Sequence, residues 1–261
     1  MTPQALRAGF RAGAVAQTAA LAPGFQQANI AILPQGHADA FAAFLHANPA
    51  ACPLLARGLP GDPGLPALGA GIDIRRDLPR YRVFRSGVAA EMPTDVADLW
   101  RDDLVVFAVG CSLGFEADLV RAGVTLRCHA PGISCSAFDT TRPNRPAGLF
   151  GGNLVVSMRA IRSDQVALAT AVTRAHPDAH GAPVHAGDPA ALGVDLARPI
   201  DGLGLTDILS GETPVFWACG VTMERAIASA RLPFAITHAP GHMLITDRPA
   251  RRFEGASDGS L

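Results

Sequence analysis

The chain has 261 residues, of which 49% are hydrophobic and 17% are charged, and its formal net charge is −1 at pH 7. This length and hydrophobic content suffice for a large buried core in one domain or two, and they exclude general disorder. The near-neutral charge offers no basic surface to a nucleic acid or to an anionic membrane. All 22 basic residues are arginine. Lysine Schiff-base chemistry and a lysine-containing phosphate loop are therefore excluded, and arginine is the only cation that can bind a carboxylate.

The cysteine count and the apolar runs bear on the cellular compartment. Five cysteines occur without a C-x-x-C pair, and no secretory signal is evident, so we expect reduced thiols in a cytoplasmic protein. The longest unbroken apolar run, Leu104 to Val109, is far shorter than the roughly 20 residues of a membrane span. We expect a small molecule as the partner, neither nucleic acid nor membrane, and the sequence leaves a homo-oligomer open.

Predicted helices and strands alternate along the chain. The hydrophobic pattern predicts helices over residues 4–20, 38–47, 115–122 and 163–175, and another that ends near Ala230. It predicts strands over 29–33, 80–85, 104–109, 124–129, 153–161, 214–218, 235–237 and 243–246. This interleaving favours α/β layers. The pattern within 118–180 predicts a smaller inserted domain, with residues 1–117 and 181–261 forming the main domain.

Two cysteines occupy matching positions in this pattern. Cys111 and Cys219 each end an apolar strand at a glycine turn, just before a predicted helix. Ser112 and Thr222 are placed to cap those helices, whose free N–H groups form natural anion sites. We expect the positive helix end to lower the pKa of each thiol. Two such thiols facing one substrate would resemble a cofactor-free racemase. The alternative is that each cysteine is a small buried apolar residue beside a tight turn.

Four of the eight histidines lie on two turns rich in glycine and proline, His180 and His185 on one and His238 and His242 on the other. The spacing of the second pair matches a helical zinc site, but Pro240-Gly241 forbids a helix there. We favour a general acid or base over a metal ligand for at least one of them. A structural role remains the alternative for each histidine.

Arginine beside glycine or at a strand end is the third candidate feature. Arg145 precedes Pro146-Ala147-Gly148, and Arg159 ends the predicted strand 153–161. Either guanidinium could bind a substrate carboxylate through two hydrogen bonds. A surface ion pair is the alternative for each.

These segments together resemble the D-glutamate cyclase family, whose bacterial members are catalogued as hydro-lyases. The resemblance runs from about Gly24 to Asp247. It is carried by Gln27-Ala28-Asn29, Asp77-Leu78-Pro79-Arg80-Tyr81-Arg82, Trp100-Arg101-Asp102-Asp103, Gly110-Cys111-Ser112 with Phe115-Glu116, Arg145-Pro146-Ala147-Gly148, Val155-Val156-Ser157-Met158-Arg159, His180-Gly181-Ala182-Pro183-Val184-His185 with Gly187-Asp188-Pro189, the segment from Pro214 to Thr222, and the segment from Thr237 to His242. The resemblance implies a three-layer αβα body with a smaller inserted α+β domain.

The chain departs from the family pattern at three places, Phe138-Asp139, Gly152-Asn153 and Thr222-Met223-Glu224. The first replaces a basic residue by an acidic one. If that position touches a substrate carboxylate, the charge of Asp139 would repel the carboxylate and change the specificity.

The leading hypothesis is therefore a cofactor-independent hydro-lyase that acts on a small amino or carboxylic acid, with cyclisation of D-glutamate to 5-oxo-D-proline as its reaction. We expect His238 or His242 as the base, His185 as the acid and Arg145 or Arg159 on the α-carboxylate. Cys111 and Cys219 are further catalytic candidates, and Ser112, His180 and Thr222 are further substrate-binding candidates.

The alternatives are a two-cysteine racemase or epimerase, a metal-dependent hydratase or hydrolase, and a carboxylate-binding protein without catalysis. No metal is expected under the leading hypothesis. That hypothesis requires Cys219, His238 and His185 to border one cavity.

Overall fold

The computed structural model describes residues 1–128 and 135–254. Over these ranges the helices and strands are α1 (Pro3–Arg11), β1 (Phe25–Pro34), α2 (Gln35–Ala47), β2 (Leu54–Arg57), β3 (Tyr81–Arg85), β4 (Val88–Glu91), β5 (Leu104–Gly110), α3 (Leu113–Arg121), β6 (Ser136–Pro143), β7 (Asn153–Arg162), α4 (Val166–Arg174), β8 (His185–Ala186), β9 (Glu212–Ala218), α5 (Val221–Ala230), β10 (Phe234–His238) and β11 (Leu244–Pro249). The prediction of a mixed α/β fold is confirmed. Within the described ranges, no helix combines the length and the apolar character that crossing a membrane demands.

The strands form two sheets. The larger has the order β2-β5-β1-β10-β3-β4, with β11 also paired to β1, and the smaller has the order β6-β7-β9-β8. All strand pairings in both sheets are antiparallel. Strands β6 and β7 come from the predicted insert, 118–180, whereas β8 and β9 come from the segment after it. The boundaries of the insert stay a prediction.

Apolar side chains on the two sheets and the helices form three main clusters. One joins the larger sheet, α2, α5 and one face of the smaller sheet, with Phe41, Phe107 and Phe216 among its fully buried members. The opposite face of the smaller sheet packs through Trp217 against α3 and α4. The outer face of the larger sheet is covered by the segment from Leu65 to Trp100. Because β5 is covered on both faces, all seven of its residues are buried and its sequence is continuously apolar.

Two predicted elements differ from the structure. The first helix ends at Arg11 rather than near residue 20, because the chain turns at Gly13, whose φ of +92° is incompatible with a continuing helix. Residues 124–128 form no strand. Val124 follows the turn at Gly123 and is buried in the cluster of α3 and α4, so its apolar character serves loop packing. His129, the last residue of that predicted strand, lies outside the described residues.

Candidate functional site

The main candidate site is a cavity of about 80 Å³ between the ends of strands from both sheets, here called the cysteine cavity. Its walls come from β1, from the β5–α3 and β9–α5 turns, from β7 and the start of β6, from the segment 200–203, and from the turn between β10 and β11. The polar side chains on its lining are Asn29, Cys111, Ser112, Cys135, Ser157, Asp201 and Cys219. The two matched cysteine turns found in the sequence therefore meet at one cavity, although they belong to different sheets.

The two turns share the same local geometry. The backbone N–H of Leu113 donates to the thiol of Cys111, and the N–H of Val221 donates to the thiol of Cys219. In both cases the donor is the first residue of the helix that follows the turn. Unpaired N–H groups of a first helical turn favour negative charge. Each turn thus presents a thiol and a helix N-terminus side by side.

Asn29 connects the two turns. It lies on β1 and is almost fully buried. Its Nδ2 donates to the carbonyl oxygen of Gly110 at 2.7 Å, directly before Cys111. The same side chain packs against Gly220, directly after Cys219.

A buried arginine lies behind the serines of the cavity. Arg159 on β7 donates through Nε and Nη2 to Oε1 of Glu116 at 3.0 and 2.5 Å. It also donates to the hydroxyls of Ser112 at 3.0 Å and Ser157 at 3.3 Å. Its guanidinium lies 4.9 Å from the ring centre of Phe115. Arg159 was predicted to bind a substrate carboxylate, and in this structure its partners are Glu116 and the two hydroxyls that border the cavity.

The pKa values of the cavity thiols shift opposite to the prediction. Burial raises the pKa of Cys219 to about 12 and raises that of Cys111 further, and it also raises the pKa of Cys135. The helix N–H groups act in the lowering direction, but desolvation of a thiolate outweighs them. The prediction of a lowered pKa is therefore wrong, and these thiols are protonated at neutral pH.

Ser112 and Thr222 do not cap helices with their side chains. Ser112 precedes α3, but it makes no side-chain capping bond. Its hydroxyl accepts from Arg159 and donates to the thiol of Cys135. Thr222 lies inside α5, where its hydroxyl accepts from the N–H of Val155 at 2.9 Å and so joins the helix to the smaller sheet. Both capping predictions are wrong because each hydroxyl finds a partner on another element.

The pair His238 and His242 flanks the turn Pro240-Gly241, which borders the cysteine cavity. His238 is buried at the end of β10, and its Nδ1 lies 3.3 Å from both the N–H and the carbonyl oxygen of Ile30. Burial lowers the pKa of His238 to about 4. His242 is half-buried, and its Nδ1 donates to the carbonyl of Pro240 at 2.7 Å. Desolvation lowers its pKa as well. Neither imidazole is among the residues that line the cavity.

The pair His180 and His185 also lies apart from the cavity lining. His180 is buried, and its Nδ1 donates to the carbonyl of Ala50 at 2.9 Å. Burial lowers its pKa to about 4. His185 lies on β8 with its ring stacked on Phe216, and its Nε2 is 2.8 Å from the carbonyl oxygen of Asp188. The expectation that Cys219, His238 and His185 border one cavity is therefore wrong: the lining contains both predicted cysteines and neither of these two histidines.

Arg145 and Asp139 lie away from the cysteine cavity. Arg145 is exposed and borders a second cavity of about 240 Å³, together with Arg142. Asp139 is exposed and forms two hydrogen bonds with Arg225, at 3.0 and 2.8 Å. The charge of Asp139 is therefore balanced at the surface. The predicted repulsion of a substrate carboxylate has no structural support at this cavity.

Four polar residues on the cavity lining were absent from the predicted site: Asn29, Cys135, Ser157 and Asp201. Asn29 and Ser157 each interrupt an apolar strand with a polar side chain, and that signal was present in the sequence. Cys135 and Asp201 lie in irregular segments and carried no local signal. Across residues 1–128 and 135–254, no group of three histidine, cysteine or acidic side chains is arranged to hold a metal ion.

Comparison with known proteins places the chain in a family. Residues 105–247 match the family model described as D-glutamate cyclase. The chain belongs to this family. A relative from Bordetella petrii is 52% identical over 92% of this chain and 90% of its own length, and one from Paraburkholderia phymatum is 53% identical over 85% and 87%. Both are named "Putative hydro-lyase".

Among solved structures, a nitrogen repressor-like protein from Methanococcus jannaschii matches with a TM-score of 0.39 and 11% identity. The match covers 90% of this chain and 91% of that one. The likeness is distant. The membership of the D-glutamate cyclase family rests on the family model and on the sequence relatives.

Proposed function

We propose that this protein is a hydro-lyase that acts on a small amino or carboxylic acid in the cysteine cavity, and that its reaction is the cyclisation of D-glutamate to 5-oxo-D-proline. Membership of the D-glutamate cyclase family and the hydro-lyase names of the relatives support the reaction class. One structural observation carries the choice of site. The Cys111 and Cys219 turns, with their helix N-termini, border the same cavity.

The reaction requires a base that takes a proton from the α-amine, donors that stabilise the oxygens of the γ-carboxyl group, and an acid that protonates the departing hydroxide. The α-amine attacks the γ-carbon, a C–N bond forms, a C–O bond breaks, and the departing hydroxide takes a proton to leave as water. The hydroxyls of Ser112 and Ser157 and the first N–H groups of α3 and α5 are suited to hold carboxylate oxygens and the developing oxyanion. Arg159 lies directly behind both hydroxyls and orients them.

Proton transfer is assigned to the thiols and to His242. Since burial keeps Cys111 and Cys219 protonated, a thiol can donate to the departing hydroxide. The Nδ1–H of His242 donates a hydrogen bond to the carbonyl oxygen of Pro240. Nε2 is therefore the unprotonated nitrogen and can take the proton of the amine. His242 does not line the cavity itself, but its chain neighbours Gly241 and Met243 do, and it is half-buried whereas His238 is buried, so we prefer His242 as the base. His185, the predicted acid, lies on β8 outside the lining, and we assign its role to Cys219.

Incubation of the purified protein with D- and L-glutamate, followed by detection of 5-oxoproline, tests the proposal. We expect product from D-glutamate and a loss of about 100-fold in the Cys219→Ala variant, the lower range for removal of an acid catalyst. Cys52→Ala is the matched control, because Cys52 is a buried thiol that does not line the cavity. Absence of product from both isomers would refute the cyclase proposal.

A second candidate, a two-thiol racemase, is favoured by one observation: both thiols border one cavity. Racemisation breaks and re-forms the α C–H bond, whereas cyclisation leaves it intact. Incorporation of solvent deuterium at the α-position by the native protein, and no incorporation by Cys111→Ser or by Cys219→Ser, would support the racemase. Product 5-oxoproline without deuterium at that carbon would support the cyclase.

A further inference from the structure

Asp201 is the one acidic side chain on the lining of the cysteine cavity among the described residues. It lies in a short 3₁₀ helix, Ile200–Gly202, with a left-handed φ of +56°. Its side chain is 36% exposed and borders both this cavity and an open groove that Arg82 and Glu91 also line. Its Oδ2 accepts from Nη2 of Arg82 at 3.2 Å, and no partner of Oδ1 is found in the described ranges.

The charge of Asp201 is only partly balanced. Arg82 also donates through Nη1 to Oε1 of Glu224 at 2.7 Å, a shorter contact with a buried carboxylate. The hydroxyl of Thr237 lies 3.2 Å from the other oxygen of Glu224 and donates to the carbonyl oxygen of His238 at 2.9 Å, and burial raises the pKa of Glu224. One guanidinium therefore faces two carboxylates. Asp201 thus shares its one arginine with a second acid that makes the shorter contact, and the oxygen Oδ1 of Asp201 does not take up that guanidinium.

Asp201 favours a cationic group of a ligand, whereas other polar groups of the cavity favour an anionic one. The thiols of Cys111 and Cys219 and the hydroxyls of Ser112 and Ser157 can donate hydrogen bonds, and the first turns of α3 and α5 favour negative charge. Such a lining can bind carboxylates but offers a cation one charged partner, Asp201. A molecule with carboxylates and an ammonium group matches both parts.

We propose that Asp201 binds the α-ammonium group of an amino-acid substrate and thereby selects an amino acid over a dicarboxylate of the same length. The inference rests on the proposed function, since it concerns the substrate of the same cavity. Asp201 acts as a binding residue, and its carboxylate makes a charged hydrogen bond to the ammonium, one of the stronger kinds of polar contact.

Binding of D-glutamate and glutarate, measured by calorimetry, tests the proposal. Glutarate has the same two carboxylates and lacks the amine. We expect the native protein to bind D-glutamate at least about tenfold more tightly, the value for one hydrogen bond to a charged group. In Asp201→Asn this preference should disappear while glutarate binding persists, which also shows that the variant is folded. Asparagine tolerates the left-handed backbone at this position.

Asp207→Asn is the matched control. Asp207 also pairs with an arginine, Arg127, that is shared with a glutamate, Glu212, and it does not line the cavity. This variant should keep the native preference for D-glutamate. An Asp201→Asn variant that also keeps the preference would overturn the inference, as would a native protein that binds the two ligands equally.

A parallel assay for 5-oxoproline separates the two proposals. If D-glutamate is converted and Asp201→Asn keeps the native preference, the inference fails and the function stands. If the preference depends on Asp201 but no 5-oxoproline forms, the assignment of Asp201 stands and the cyclase proposal fails.

Discussion

Asn29 and Gly220 are in such close contact that a methyl group on Gly220 would lie 2.2 Å from the amide nitrogen of Asn29. The same amide nitrogen donates to the carbonyl of Gly110 at 2.7 Å. One side chain of β1 therefore touches the residue before Cys111 and the residue after Cys219. This contact fixes how closely the two turns approach each other.

Gly220→Ala tests the importance of that approach. The φ of Gly220 is −61°, so alanine fits the backbone, and the side chain of Asn29 is the nearest obstacle to its methyl group. We expect a loss of about 1–3 kcal/mol in the free energy of unfolding, as for overpacking elsewhere. We also expect about 100-fold slower formation of 5-oxoproline, because the two thiols would move apart. Urea unfolding and the product assay measure the two effects.

The control for this substitution is Gly36→Ala. Gly36 lies in α2, and a methyl group there meets nothing within 4 Å. The free energy of unfolding should stay unchanged or rise by up to about 1 kcal/mol, since alanine favours a helix. Equal behaviour of the two alanine variants would contradict the role of the contact between Gly220 and Asn29.

Arg159→Met tests the buried ion pair behind the cavity. Arg159 and Glu116 are 1% and 4% exposed, so the substitution leaves a buried carboxylate without its arginine. Removal of one partner of a buried pair costs about 3–5 kcal/mol, which urea unfolding would detect. In the exposed pair of Arg162 and Asp164, at 59% and 63% exposure, Arg162→Met should change the free energy of unfolding by at most about 1 kcal/mol. If Arg159→Met lowered the free energy of unfolding by as little as Arg162→Met does, the stabilising role of the buried ion pair would be contradicted.

Buried histidines should make the fold sensitive to acid. The pKa of His238 and of His180 is about 4 in the folded protein, below the ordinary value of about 6.5 expected in the unfolded chain. Between these values the unfolded chain binds more protons. Each neutral, buried histidine therefore makes its full contribution to the free energy of unfolding above pH 6.5. This contribution is lost as the pH falls towards 4, at about 1.4 kcal/mol per pH unit for each histidine.

His238→Asn isolates one of these two contributions. Asparagine keeps a polar group near the position of Nδ1 and cannot take up the proton. Urea unfolding of the native protein and the variant between pH 4 and pH 7 should show a shallower pH dependence in the variant. Identical slopes would show that His238 does not take up a proton on unfolding.

Much of the fold and part of the site could be read from local patterns. The continuous apolar run of β5 predicted a buried strand because a strand covered on both faces has no polar side. Cys111 and Cys219 were found because each follows such a run at a glycine turn. By contrast, Val124 was assigned to a strand because an apolar loop residue that packs into a core looks the same as a strand residue.

The sequence by itself determined the positions of most helices and strands, the family of the chain and the two matched cysteine turns, because hydrophobic period, turn residues and motifs are local properties. The tertiary structure decided which strand ends meet, how the thiol pKa values shift, which partners hold Arg159 and that Asp201 borders the cavity. These features depend on burial and on contacts between residues far apart in the chain. Asn29 and Gly220, for example, are separated by 191 positions and yet are in contact.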